Sequence, residues 1–412
     1  MRVLITDANE RASLAAARSL VAAGHAVSVC SPTRFSLAGA ARGVRSHRVT
    51  TDPLLDPAGY VAQVARFTRH GSPTMLLPMT DPAVEAVLEY RDELPAAVTV
   101  PFPDLATYRT ASDKGRILAL AEKCGFGVPE TRVLASAHDD LPDARFFPAF
   151  VKAHRSVVGT GRGRRKLGVT PVADAAACRA SLLVLPPAAF PVLLQRQVSG
   201  VGEGFFALRW GGRMVAMFAH RRLREKPPWG GVSVYRESIA LSDDLVGPGA
   251  RLLEALDWSG VAMVECKRDA STGRQVIMEI NGRFWGSLQV AIDAGVDFPA
   301  LLARCAAGET VLAPQPYRVG VRSRWFWGDV DHLYLRLRQR GARLQAVRDF
   351  LRTGGDEIWR WRDPAPFVVE TLQWLGLTPR TAGARWKSTA VPTRSLPDSA
   401  APSGARSAGV RR

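Results

Sequence analysis

Two apolar segments past the middle of the chain carry carboxylates where a charge is costly: Gly260-Val-Ala-Met-Val-Glu265 and Val276-Ile-Met-Glu279-Ile-Asn281-Gly-Arg283. Both read as strands, joined by a polar turn running from Arg268 to Gly273. Alternation along the second strand sends Val276, Met278 and Ile280 to one face and Glu279, Asn281 and Arg283 to the other. A turn centred near Thr272 sets Glu265 opposite Glu279 in an antiparallel hairpin. Like charges opposed across a sheet destabilise it, and burial raises the cost. A hard divalent cation with oxygen ligands removes the conflict, and Asn281 can supply a further oxygen. The competing reading is a solvated sheet face on which the two glutamates pair with Lys267 and Arg283.

Four further elements precede this hairpin. Lys114 stands at the start of a helical pattern, and Lys152 ends an apolar strand over 147–152. Beyond it, Gly159-Thr-Gly161-Arg-Gly163 can bend its backbone close to a ligand and turn N–H groups toward phosphate oxygens. Its spacing is not that of a P-loop, so that mechanism is excluded. The strand Leu193-Leu-Gln195-Arg196-Gln-Val198 then leads through a glycine-bearing turn to an acid, Glu203. Each of these alone has a plain structural reading: a solvated lysine, an ordinary turn, an acid facing water.

The surrounding pattern shows what positions these residues. Over residues 1–103 short apolar strands (3–6, 26–30, 74–78) alternate with helical patterns (12–23, 81–90), the order of a parallel sheet covered by helices. The first turn lacks G-x-G-x-x-G, so a dinucleotide is not indicated. Pro101 and Pro103 close this domain. From 104 to 310 helices mix with long antiparallel strands at 192–195, 203–210, 213–220, 233–239, 260–267 and 275–281. Residues 311–379 read as a basic, mainly helical extension. Residues 380–412, rich in Ala, Ser, Pro and Arg, are expected to be disordered. Between the strands at 213–220 and 233–239, the prolines and glycines of 220–233 predict a loop. There Arg221, Arg222, Arg224 and Lys226 could hold a substrate carboxylate or phosphate. A plain basic surface loop explains them too.

The chain has 412 residues, 47% of them hydrophobic, enough for real cores. No run reaches the roughly 18 apolar residues of a membrane span, and the first strand is too short for a signal-peptide core, so a cytoplasmic protein without a membrane partner is expected. The five cysteines (Cys30, Cys124, Cys178, Cys266, Cys305) form no C-x-x-C pair, which argues against zinc and a disulfide framework and for buried small hydrophobes. A net charge of +17 raises the question of nucleic acid. The excess sits in 155–166, in 221–226 and beyond 318, without the aromatic and glycine pattern of an RNA-binding module. Nucleotide phosphates or an acidic small molecule account for the two internal clusters, and nucleic acid is not the expected partner.

Taken in this order, the elements from about residue 1 to 310 resemble the ATP-grasp superfamily, in particular the carbamoyl-phosphate-synthase-like branch of carboxylate-amine ligases. The most specific part is Met278-Glu-Ile-Asn-Gly-Arg283, similar to the family's Glu-x-Asn-x-Arg, with Glu265 as the upstream partner acid. The resemblance implies an α/β and α+β architecture. A Rossmann-like pre-ATP-grasp domain (1–103) would precede two subdomains clamping ATP (about 104–190 and 191–310), with the helical extension following. It implies that Glu279 and Asn281 ligate Mg2+, or Mn2+ in its place, with Glu265 completing the site. Arg283 would lie near the transferred phosphoryl group and act with Lys152 in catalysis. Lys114 and Lys152 would contact phosphates, with Gly159, Gly161 and Gly163 closing over them. Gln195, Arg196 and Val198 would line adenine, and Glu203 would hold the ribose.

Two departures stand out. Gln195 or Arg196 occupies a linker position where an acid is usual, and the glycine loop carries Arg162, Arg164 and Arg165. The implied reaction joins a small-molecule carboxylate to an amine through an acyl phosphate, giving an amide or peptide-like bond, ADP and phosphate. A homodimer is compatible with it. The alternative is an ATP-binding pseudo-enzyme or regulatory module whose basic C-terminal region docks on an acidic partner or nucleic acid. The intact set of Lys114, Lys152, Glu265, Glu279 and Asn281 argues for the enzyme. The chain has no Met-Lys-Met biotin-acceptor context, which argues against a biotin-dependent carboxylase.

Overall fold

Apolar β-branched strands at the N-terminus feed alanine-rich helices, and the result is a parallel sheet. In the computed structural model, which describes residues 1–69, 74–160, 163–311, 316–339, 341, 343–352 and 354–378, the chain opens with β1 (Arg2–Ile5), α1 (Arg11–Ala22), β2 (Ala26–Ser31), β3 (Val44–Arg48), α2 (Pro57–Arg66), β4 (Thr74–Leu77), α3 (Asp81–Glu89) and β5 (Val98–Thr99). The strand order is β3-β2-β1-β4-β5, every pair parallel. The order reverses between β1 and β4, where such sheets leave a crevice beyond their carboxyl ends. There Thr80 caps α3, accepting from the Ala83 N–H, and Pro82 stands in the first turn. Asp81 is thereby held at the mouth of the crevice.

Next come α4 (Leu105–Ser112) and α5 (Lys114–Lys123), then β6 (Thr131–Leu134), β7 (Ala149–Ala153), β8 (Val157–Thr160), β9 (Gly163–Lys166), β10 (Val169–Val172), α6 (Ala175–Leu183) and β11 (Val192–Arg196). Four of these strands form an antiparallel sheet in the order β10-β7-β11-β6, while β8 and β9 pair only with each other. Thus β11, read from sequence into the second subdomain, is hydrogen-bonded in the sheet of the first. Helices α4 and α5 belong with the later sheet: Tyr108, Ala111, Ile117 and Ala121 share a core with Phe205, Val264 and Ile277.

The third unit contains β12 (Gly200–Trp210), β13 (Arg213–Lys226), β14 (Val232–Ser238), α7 (Asp243–Ala255), β15 (Gly260–Asp269), β16 (Gln275–Asn281), α8 (Leu288–Ala294) and α9 (Phe298–Ala306). The extension adds β17 (Arg322–Arg324), α10 (Phe326–Leu337), α11 (Arg343–Leu351), β18 (Gly355–Asp356) and α12 (Ala365–Trp374). Its two strands complete a seven-stranded sheet, β16-β15-β12-β13-β14-β17-β18. The extension is therefore part of the fold. Ile358 is buried in the same core as α1, α8 and α9. Arg18 meets Asp363 at 2.8 Å, and Arg11 and Arg236 both pair with Glu357.

The loop expected over 220–233 is a correction: β13 continues to Lys226 and β14 begins at Val232, leaving a short connection. Irregular pairing at Arg222/Arg224 and Arg224/Glu225 lets the long strand twist. All five cysteines are free and buried. No helix among the described residues is long and apolar enough to cross a membrane. Gly161, Arg162 and the expected tail over 380–412 lie outside the described residues.

Candidate active site

The β15–β16 hairpin sets Glu265 directly opposite Glu279. Its turn is closed by Asp269, whose Oδ1 accepts from the Ser271 amide, and by Gly273 at φ +68°. One detail departs from simple alternation. The register shifts between Glu265 and Cys266, so Cys266 pairs with Ile277 and Met278 is the extra residue of a bulge. Ile277 and Ile280, three apart, therefore share the core face, whereas the sequence pattern gave Val276 and Met278 to that face with Ile280. Glu279 and Asn281 stay together on the cleft face.

Just past the strand lies Gly282, where an added Cβ would clash with the Trp258 ring. Only glycine lets the chain pass and deliver Arg283. Asp81 grips Arg283 with both oxygens, at 2.7 Å to Nε and 3.1 Å to Nη2. Arg283 also donates to Asn281 Oδ1 at 3.2 Å, and Asn281 donates to Glu279 Oε1 at 3.3 Å. Burial alone would raise the Asp81 carboxyl, but Arg283, Lys166 and Lys114 hold it well below the usual carboxylate range. Burial likewise opposes the Arg283 charge, and Asp81 more than restores it.

Lys114 opens α5 because Asp113 caps that helix, accepting from the Arg116 N–H. Its side chain is buried, with Nζ 3.0 Å from Ser156 Oγ and 3.8 Å from Glu279 Oε2. Lys152 reaches the cleft by alternation along β7, where Ala149, Val151 and Ala153 face the core beneath. Burial pushes its ammonium below the ordinary lysine value, and Glu279 pulls it back up. Lys114, Lys152, Lys166, Glu279, Asn281 and Arg283 line a single cavity of about 170 Å³.

Burial raises the Glu265 carboxyl and Glu279 adds to the rise, while Arg222, 2.7 Å away, works against both. Arg222 also meets Glu225 at 3.1 Å. The other three candidates for substrate contact turn elsewhere. Arg221 pairs with Glu237 at 2.6 Å, Arg224 clamps the fully buried Asp329 at 2.7 Å through two nitrogens, and Lys226 pairs with Asp331.

At the opposite end of the strands, Gln195 is buried, with Nε2 3.4 Å from Thr131 Oγ1 and Oε1 lacking a hydrogen-bond partner. Arg196 is exposed beside Glu130. The Arg196 and Gln197 amides bond to Glu130 and Pro148, and the Val198 carbonyl accepts from Lys267 Nζ at 3.0 Å. Glu203 is held by Arg268 at 3.2 and 3.3 Å and by Gln275. Of the glycine segment, Gly159 lies in β8, and Gly163, at φ +142°, packs against the Leu54 and Leu55 backbone.

Among the described residues no cluster of three or more His, Cys, Asp or Glu is placed to hold a metal ion. The candidate donor set is two opposed carboxylates and one amide, all oxygen. It fits a small hard cation that keeps water or phosphate as its remaining ligands. Sequence reasoning passed over Asp81 as a site residue. The signal was present in Thr80-Asp81-Pro82, a helix start directly after a strand at the point where the sheet order reverses.

The family model described as "ATP-grasp in the biosynthetic pathway with Ter operon" matches residues 207–327, the stretch containing Glu265, Glu279, Asn281 and Arg283. No curated protein matches in sequence. Among solved structures, the L-amino acid ligase of Bacillus licheniformis superposes with a TM-score of 0.56 at 15% identity, covering 74% of this chain and 73% of that one. A β,γ-ATP complex of biotin carboxylase from Campylobacter jejuni gives 0.59 at 14% identity, covering 78% and 74%. N5-carboxyaminoimidazole ribonucleotide synthetase from Thermus thermophilus gives 0.54 at 17%, covering 76% and 80%. The chain has the ATP-grasp fold, with a Rossmann-like N-terminal domain ahead of it, and its 207–327 stretch matches an ATP-grasp family model.

Proposed function

We propose that this protein is an ATP- and Mg2+-dependent carboxylate-amine ligase working through an acyl phosphate. One observation carries the reading: three lysines and an arginine converge with Glu279 and Asn281 on one cavity. That arrangement suits phosphoryl transfer, where anions must be brought together and developing charge neutralised. The solved structures of similar fold include an amino-acid ligase, and another holds ATP at its site, which supports the same class.

In this reading Glu265, Glu279 and Asn281 would hold the magnesium, which would supply positive charge against the phosphates and the attacking carboxylate. Lys114 and Lys152 hold phosphate oxygens, and Arg283, oriented by Asp81, faces the transferred group. Arg222 lies beside Glu265 and is the best placed of the four β13 cations to meet an anionic substrate. The substrate carboxylate attacks the γ-phosphorus as ADP leaves, and the amine then displaces phosphate from the acyl carbon. No side-chain nucleophile is needed: His220 is packed against Phe206 and bonded to Ser287, well inside the core.

Incubation of the purified full chain with Mg-ATP and pools of carboxylic acids and amines should release phosphate, with an amide product visible by mass spectrometry. Phosphate release that requires no carboxylate, or none with any pool, would sink the assignment. The reading of the C-terminal region as a basic docking module gains nothing from the structure. Arg18, Arg224 and Lys226 pair with Asp363, Asp329 and Asp331 of that region, and its Arg360 pairs with Asp293.

A further inference from the structure

The β8–β9 hairpin bonds to neither large sheet, and an isolated two-stranded hairpin is marginal in water. Val157 and Val158 of β8 are buried, and charge ties the hairpin to α3. Asp81, Glu85 and Glu89 are spaced four apart along α3 and so share one face of that helix. Each receives a cation from the hairpin or its flank. Lys166 lies 3.6 Å from Asp81, Arg155 2.5 Å from Glu85 and Arg164 2.6 Å from Glu89. The Arg164 amide also donates to the Leu54 carbonyl at 2.7 Å. Glu85 is 5% exposed, and Arg109 of α4 braces both Glu85 and Glu89 from the other side.

The carboxylates therefore occupy, around these cations, the role that phosphate oxygens would take. The space beneath is small. The cavity of about 170 Å³ at the metal end falls below the roughly 300–1,000 Å³ of sites that enclose a ligand. A phosphate that takes Arg155, Arg164 or Lys166 as its partner breaks that cation's contact with α3.

We infer that the acidic face of α3 is an autoinhibitory latch: Asp81, Glu85 and Glu89 hold the arginine-rich hairpin against the N-terminal domain, and nucleotide phosphates compete for it. The inference rests on the nucleotide-binding part of the function proposed above. A latched resting state lowers apparent affinity by the fraction of molecules that are open, so weakening the latch tightens binding.

The test uses the full chain with two variants, Glu89→Gln on the helix and Arg164→Gln on the hairpin. Without nucleotide, hydrogen exchange of amides 157–160 and 163–166 should accelerate about tenfold in either variant, and the double variant should exchange no faster, as expected for one shared contact. Glu89→Gln should bind Mg-AMPPNP about two- to fivefold more tightly than wild type, the size expected for releasing one partly exposed pair. Arg164→Gln loses the latch and a phosphate partner together, so it should gain no affinity. Unchanged exchange in both variants, or Glu89→Gln binding no tighter than wild type, would overturn the latch and leave the ligase reading standing. Wild-type protein that binds no Mg-nucleotide would overturn both.

Discussion

Two hairpins face the same cleft and are held by opposite means. The acidic one, β15–β16, lies at the edge of a seven-stranded sheet, with Ile277, Ile280, Val264 and Cys266 anchoring it in an apolar core. The basic one, β8–β9, has no further strand beside it among the described residues, and beyond the buried Val157 and Val158 it is tethered by ion pairs to α3. Burial of apolar area is insensitive to which ligand is present, whereas an ion pair can exchange one anion for another. A rigid hairpin suits residues that must hold a fixed geometry. A charge-tethered hairpin suits residues that must change partners.

Glu279→Gln should break the comparison most severely. Turnover should fall about 10³-fold or more, since a group acting on transition-state charge is lost. The protein should nonetheless melt at or above the wild-type temperature without metal, because the opposed carboxylates no longer repel. Normal turnover would remove Glu279 from the site, and a collapse of folding would show that it is structural. Gly282→Ala should follow, costing about 1–3 kcal/mol in denaturant unfolding, because the added methyl meets the Trp258 ring. The same substitution at Gly159, where a Cβ meets nothing within 4 Å, should leave stability unchanged within error.

A pH series sharpens the contrast at Lys152. Burial lowers its pKa, Glu279 and Glu265 oppose this, and neighbouring Lys114 and Lys267 add to the lowering. As pH rises, Lys152 sheds its proton below the ordinary lysine range, so Mg-AMPPNP affinity should fall there. Lys152→Arg keeps its charge and should move that fall to higher pH. An identical profile in the variant would show that Lys152 does not meet phosphate. A small effect is expected from Arg164→Gln on global stability, about 1 kcal/mol or less in denaturant unfolding, because its partner Glu89 is partly exposed. A larger loss would mean that the basic hairpin is as integral to the fold as the acidic one.

Much of the acidic hairpin was legible in the sequence. Two strands around a short turn leave little freedom of register, so Glu265 had to fall within one position of Glu279, and the bulge sets them directly opposite. The bulge at Met278 was not legible, because an extra residue looks the same as a regular one until its partner strand is placed. The cations at Arg221, Arg224 and Lys226 show the harder problem. Their sequence offers charge without a partner, and the acids they meet at Glu237, Asp329 and Asp331 lie 16 to 105 residues further on. The parallel sense of the N-terminal sheet followed from the alternation of strands and helices. The role of the basic extension did not, since its strands β17 and β18 are two or three residues long and carry no period of their own.

By itself the sequence determined many of the local objects of this protein: most of the long strands and helices, which carboxylates share a hairpin, and that Asn281, Gly282 and Arg283 follow Glu279. These depend on alternation, capping and turn chemistry within a few residues. Only the tertiary structure decided that Asp81 of the first domain grips Arg283 across 202 positions, and that the arginines around the glycine segment rest on α3. Charge is long-ranged and carries no pattern that names its partner. Which anion a cation meets is settled by the packing of apolar surfaces that bring distant segments together.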